Sequence, residues 1–138
     1  TIEGEVNDIL AQMVDFGIVL EMDGKNINTY LAYDDDNVWP LELSSGMERF
    51  ISSLAMRVGL INVCNLPRAN FLAIDEGFGN MDSDNLNSIY MLFQYLKSQF
   101  QFAFIVSHIE SMRDTVDSLL EITKEKGFSQ LKLPTKFS

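Results

Sequence analysis

Two short, uninterrupted apolar runs, Phe71-Leu72-Ala73-Ile74 and Phe102-Ala103-Phe104-Ile105-Val106, constrain this chain more than any other feature. Runs of that length and character suit strands covered on both faces. Between them Leu86, Ile89, Tyr90, Phe93 and Leu96 recur at the spacing of one helix face. Strand, helix, strand predicts a parallel pair with a right-handed crossover, and so an α/β fold. The first run ends in Asp75-Glu76 and the second in Ser107-His108, which carries the chain's only histidine. Both pairs fall at the C-terminal edge of the sheet, where open α/β sheets bind ligands.

The rest of the chain organises around that unit. Residues 2–13 carry Ile2, Val6, Ile9, Leu10 and Met13 on one helix face. Residues 17–22 and 26–33 are β runs around Asp23-Gly24, a dipeptide suited to a tight hairpin, and residues 38–43 form a further short strand after the acidic turn Asp34-Asp35-Asp36. A second helix follows from Phe50, Ile51, Leu54, Val58 and Ile61, ended by Asn65-Leu66-Pro67. After His108 the pattern predicts a short helix over residues 110–117 and a hairpin of residues 119–123 and 128–133 around Gly127.

With 138 residues and 46% hydrophobic content, one domain with its own core is expected. Ten basic against 20 acidic residues give a charge of −10, which argues against a general phosphate-binding surface. Any contact with nucleic acid is expected to be local or made by a partner. One cysteine, Cys64, excludes an internal disulfide and, with its apolar flanks, is expected in the core. No segment approaches the roughly 18 apolar residues of a membrane span, and no signal pattern opens the chain. A soluble protein of a reducing compartment, cytoplasmic with the nucleoid or nuclear, is expected. The chain begins at Thr1 without a methionine, which suggests a processed product or a piece of a longer protein.

Three sets of residues carry chemistry. At the end of the first apolar run, Asp75 offers a hard oxygen for Mg²⁺ and Glu76 a base to orient water. Solvated carboxylates at a strand end would give the same pattern. Leu43-Ser44-Ser45-Gly46-Met47-Glu48-Arg49 is a small-residue turn opening into a helix, where backbone N–H groups and the helix dipole suit phosphate. It also reads as a capping box, with Ser44 or Ser45 as the cap and Glu48 reaching back. His108 sits at the second strand end as a ligand contact or a satisfied structural group.

In that order the motifs resemble the C-terminal lobe of SMC-like ABC ATPases. Asp75-Glu76-Gly77-Phe78-Gly79-Asn80-Met81-Asp82-Ser83 looks very like the Walker B and D-loop of the SbcC/Rad-fifty family, and Ile105-Val106-Ser107-His108 and Gly127-Phe128-Ser129-Gln130-Leu131 extend the likeness. The resemblance implies the C-terminal lobe of an ABC-type (P-loop NTPase) head, a mostly parallel sheet flanked by helices with added β-hairpins. Residues 1–13 would be the root of a coiled-coil helix, 14–43 a β-hairpin region and 44–138 the signature, Walker B, D-loop and switch region. It further implies ATP and Mg²⁺ as cofactors, Ser45 and Gly46 on the γ-phosphate of a second head, Asp82 reaching across the dimer or capping the next helix with Ser83, and His108 as the γ-phosphate switch. Arg49 and Arg57 would relay nucleotide state, or be solvated helix arginines. Met47 stands where the family pattern has its second glycine, and a side chain there hinders close approach of the backbone to phosphate. A register with Ser44 as the signature serine is the alternative.

No Walker A loop is present; Gly24-Lys25 is followed by Asn26 and sits in a hairpin turn. The resemblance therefore implies half of an ATPase head, completed by an N-terminal Walker A lobe on the same or a separate chain, and inactive in hydrolysis without it. It implies dimerisation with a second head, an SbcD-type nuclease and DNA as partners, and a role in double-strand-break repair. The alternatives are an SMC/RecF-like chromosome-organising head and a non-enzymatic ABC-like interaction domain.

Overall fold

Helix α1 (Ile2–Leu10) opens the chain in a computed structural model that describes residues 1–65, 67–75, 86–108 and 110–132, with backbone alone for Leu86 and Ser111. The Thr1 side chain caps it by accepting from the Gly4 N–H, and Glu3 and Glu5 lie in the first turn, where negative charge meets the positive end of the helix dipole. The helix is shorter than the 2–13 expected, although Met13 is still buried in the turn that follows.

That turn leads into β1 (Gly17–Asp23), which pairs antiparallel with β2 (Asn26–Ala32) in the register Gly17 opposite Ala32 through Asp23 opposite Asn26. Gly24 makes the reversal at φ 61°, a conformation that costs glycine nothing. Strand β3 (Val38–Pro40) pairs with the other side of β2. The strand expected over 38–43 stops early because Pro40 has no N–H to continue the ladder, and Leu41–Leu43 wind into a 3₁₀ turn.

Helix α1 holds this sheet by its edge. The Asn7 side chain donates to the Ile18 carbonyl at 2.9 Å and accepts from the Ile18 N–H at 2.8 Å, and the Leu20 N–H donates to Glu3 at 2.7 Å. Side chains thus take the ladder positions of β1 that no strand fills. Helix α2 (Gly46–Val63) packs against α1 so closely that a Cβ on Gly59 would lie 2.9 Å from Val6 Cγ2. Val6, Leu10, Ile18, Leu31, Ile51 and Val58 are each at most 1% exposed. Burying such side chains contributes about 1.5–3 kcal/mol apiece.

Strand β4 (Phe71–Asp75), helix α3 (Leu86–Gln99) and strand β5 (Phe102–Val106) form the predicted unit, with β4 and β5 parallel and Phe71 opposite Phe102 through Asp75 opposite Val106. Ile89, Leu92, Phe93 and Leu96 are the buried stripe of α3. The two strands are not covered on both faces as expected. Burial alternates along each, leaving Phe71, Phe102, Phe104 and Val106 between 43% and 58% exposed, with the Phe71 and Phe102 rings stacked at 5.5 Å.

The mostly parallel sheet is also corrected. The described strands form three small sheets, and β4–β5 is the parallel pair among them. Tight two-residue turns join β1 to β2 and β6 (Glu121–Glu125) to β7 (Phe128–Lys132), and such turns permit only antiparallel pairing. Cys64, expected in the core, is exposed because it is the extended residue that caps the end of α2.

The chain divides into two compact units between Ser107 and His108. In the second, the segment expected as a helix over 110–117 is a 3₁₀ helix, Glu110–Thr115, in which the Thr115 hydroxyl donates to the Met112 carbonyl and competes with longer-range helix bonds. Arg113 pairs with Glu121 at 3.0 Å and ties this turn to β6. Lys126 and Gly127, at φ 51° and 87°, make the hairpin turn of β6–β7, whose first strand is displaced two residues from the expected 119–123 and whose second begins at Phe128 as expected.

Candidate functional site

Ser45 is the N-cap of α2, in extended backbone at φ −63° and ψ 161°. Its hydroxyl accepts from the Glu48 N–H at 3.2 Å, while its own N–H donates to Glu48 Oε2 at 2.6 Å. Both halves of the predicted capping box are therefore formed. The first N–H groups of a helix have no partner within it, and the Ser45 hydroxyl takes only that of Glu48. The amides of Gly46 and Met47 belong to the same first turn, at the positive end of the helix dipole.

The two serines differ in a way that bears on the register. Ser44 is buried, and its hydroxyl donates to the Leu41 carbonyl at 2.6 Å. Ser45 is exposed at the helix mouth. Met47 is 6% exposed, so the bulk that a glycine would lack is taken up by the interior.

A second hydrogen bond reaches Glu48 from outside the helix. The Tyr33 hydroxyl, just past the end of β2, donates to Glu48 Oε1 at 2.7 Å. The Tyr33 ring meets Phe16 edge-on at a centroid distance of 5.6 Å and Trp39 at 5.5 Å. Burial raises the Tyr33 phenol, and the hydrogen bond to Glu48 and the charges of Glu48 and Asp15 raise it further, to about 12. Burial also pushes the Glu48 carboxyl up, but the bonds from Tyr33 and Ser45 outweigh it and leave Glu48 below its ordinary value. At neutral pH the pair is thus a phenol donating to a carboxylate. Asp15, Phe16, Tyr33, Ser45, Glu48 and Ser88 line an open cleft of about 450 Å³.

Tyr33 was not legible as part of this site. It reads as the end of a strand, fifteen residues before its partner, and no spacing rule joins the two.

Arg49 and Arg57 are both exposed on α2, and Arg49 reaches back to the Glu42 carbonyl at 3.4 Å. Asp75 is the last residue of β4, exposed and opposite Val106, so its carboxylate stands at the C-terminal edge of the parallel pair as expected. Glu76 and Asp82 lie outside the described residues. His108 follows β5 by two residues at the start of the second unit, with an exposed side chain. Among the described residues no three acidic, histidine or cysteine side chains gather as a metal site. A single hard carboxylate such as Asp75 fits Mg²⁺ bound mainly through nucleotide phosphates and water, as Mg²⁺ commonly is. No helix among the described residues is long and apolar enough to cross a membrane.

No family model matches the chain. An uncharacterized protein of Acanthamoeba polyphaga mimivirus is 34% identical over 146 residues, taking in 94% of this chain and 11% of that protein. The SbcC component of the nuclease SbcCD from Pseudomonas aeruginosa is 32% identical over 91 residues, 64% of this chain and 8% of that protein. The chain spans about a tenth of the length of these relatives. Among solved structures, one concerned with ATP-driven dimerization and DNA stimulated activation of SMC ATPases superposes with a TM-score of 0.77 at 15% identity, covering 96% of this chain and 82% of that one. An SMC head bound to the C-winged helix domain of ScpA gives 0.73 at 17% identity, covering 99% and 42%. At such identities the structures speak for the fold, a mixed α/β P-loop NTPase head, and the sequence relatives for the family. Taken together, they make this chain a C-terminal lobe of the SbcC/SMC-like ABC ATPase head.

Proposed function

We propose that the chain is the C-terminal half of an ATP-binding and hydrolysing head that dimerises on ATP and regulates DNA end processing with an SbcD-type nuclease. The observation that carries this reading is the mouth of α2, where Ser45 is exposed and held in a capping box at the positive end of the helix dipole, a place that suits a phosphate. In the proposed dimer that phosphate is the γ-phosphate held by the opposite head. Ser45 and Gly46 bind it, and Asp82 reaches across from the D-loop.

Within its own head, Asp75 would hold Mg²⁺ together with phosphate oxygens, and the ion would neutralise charge as the terminal phosphate leaves. Glu76 orients water for in-line attack and accepts its proton. His108 senses the γ-phosphate, and Arg49 and Arg57 pass the nucleotide state along α2. The phosphate-wrapping lysine comes from a Walker A lobe, on this polypeptide or another. The half-exposed apolar face of β4–β5 supports such completion, since an open apolar patch of this kind marks a surface made to be covered.

ATP hydrolysis tests the reading. The chain alone is expected to have no Glu76-dependent turnover. Combined with its Walker A lobe it should hydrolyse ATP, and Glu76→Gln should trap ATP-bound dimers. Unchanged turnover in Glu76→Gln would mean that Glu76 is idle. The SMC-head likeness favours one second reading, a chromosome-organising head that uses ATP for clamping. Co-purification of the intact protein with a metallophosphoesterase, rather than with a partner of the ScpA kind, separates the two.

A further inference from the structure

We propose that Tyr33 is a positioning residue for the signature serine: it fixes the Glu48 carboxylate that holds the Ser45 N–H, and so sets how Ser45 meets phosphate. The inference rests on the reading of Ser45 given above. Its geometry stands on three contacts.

The first is the capping box. Glu48 reaches Ser45 through one carboxylate oxygen at 2.6 Å, but a glutamate side chain has three rotatable bonds and holds a helix end only loosely unless something restrains it. The second is the 2.7 Å bond from Tyr33 to the other oxygen, which leaves the carboxylate gripped at both ends. The third is the pair of ring contacts to Phe16 and Trp39, which fix the phenol itself. Phe16 lies in the segment after α1 and Trp39 on β3, so the placement of the cap is referred to the part of the chain packed on α1. The phenol stays protonated well above neutral pH and the carboxylate stays charged, which keeps donor and acceptor matched.

Ser45 lines the cleft beside this network, together with Tyr33 and Glu48. A phosphate bridging two heads tolerates little misplacement of its donors, because groups must be preorganised to act on it. Tyr33 touches no phosphate in this scheme. It acts only through Glu48.

Tyr33→Phe removes the hydroxyl and keeps the ring between Phe16 and Trp39. In the chain alone, amide exchange at Ser45 is expected to accelerate about tenfold, the scale of one charge-assisted hydrogen bond. In the chain joined to its Walker A lobe, ATP affinity of the single head should not change, while ATP-driven dimerisation should weaken about tenfold. Adding Tyr33→Phe to Glu48→Gln should have no further effect on dimerisation. Ser45→Arg serves as the reference variant. If Ser45→Arg abolishes dimerisation while Tyr33→Phe matches wild type, or if Ser45 exchange is unchanged in Tyr33→Phe, the positioning role is wrong and the reading of Ser45 survives. If Ser45→Arg dimerises normally, the reading of Ser45 fails and the role of Tyr33 falls with it.

Discussion

The corner built from α1, α2 and the β1–β2 hairpin and the pair β4–β5 belong to the same compact unit, yet they are finished to different degrees. At the corner, side chains of α1 occupy the bare edge of β1, and Gly59 lets two helices meet at van der Waals distance. At the pair, one face of two phenylalanine-rich strands stands about half open. The first region closes over Val6, Leu10, Ile18, Leu31, Ile51 and Val58, although among the described residues the Ser52 hydroxyl is buried there without a hydrogen-bond partner and the hairpin tip leaves Met22 and Ile27 exposed. The second carries apolar surface that a lone domain rarely keeps. From the contrast we infer a division between stability and assembly, with the packed corner holding the chain together and the open face of β4–β5 available to a partner.

The largest effect is expected at the corner's centre. Ile51 has no exposed surface, and Ile51→Ala is expected to destabilise the chain by about 2–5 kcal/mol through lost transfer energy and the cavity left behind. Denaturant unfolding of the chain measures it. A loss below about 1 kcal/mol would show that the corner repacks freely and is not the centre of stability.

Much of this division was legible in the sequence and some was not. The period of Ile51, Leu54 and Val58 gave the buried face of α2, and Asp75 fell at the strand end where the apolar run placed it. Those patterns depend on local spacing alone. The open face of β4–β5 was missed because a run such as Phe71-Leu72-Ala73-Ile74 has the same composition whether one face or both are covered. What covers a strand is a property of other elements, of the same chain or of another. Tyr33 was missed for the same reason, since its partner is chosen by how β2 and α2 pack. Pro40 was in view and should have shortened its strand. At the candidate site, the capping box could be read from Ser45 and Glu48, but its outer support could not.

A smaller effect sharpens the corner further. The Glu48 carboxyl lies below its ordinary 4.5 in the folded chain, so its bonds contribute stability above that pH and lose it as pH falls through the lowered folded value. Wild type should therefore exceed Glu48→Gln in Tm by a constant margin from pH 5 to 8, and the margin should close below about 4.5. Tyr33 behaves oppositely. Its folded value is raised from 10.0 to about 12, so its contribution is whole below 10 and disappears as pH climbs through that interval. Thermal melts of wild type, Glu48→Gln and Tyr33→Phe across both ranges check the two signs. A margin that did not shrink at all as pH fell below 4.5 would mean the carboxylate is not held by these bonds.

The smallest expected effect lies on the open face. Phe104 is 51% exposed and faces Ala73 across the parallel pair, and threonine, being β-branched, is also favoured in strands. Phe104→Thr should change the stability of the chain by about 0.5 kcal/mol or less, as surface changes usually do. The same substitution should weaken association with the Walker A lobe, because there the ring is expected to be covered. Unfolding and binding measured on one variant therefore decide the matter. If Phe104→Thr costs the chain as much as Ile51→Ala, the two regions are equally necessary to the fold, and the division of labour between them does not exist. If it costs neither stability nor association, the face is open for no structural reason and the completing lobe must sit elsewhere.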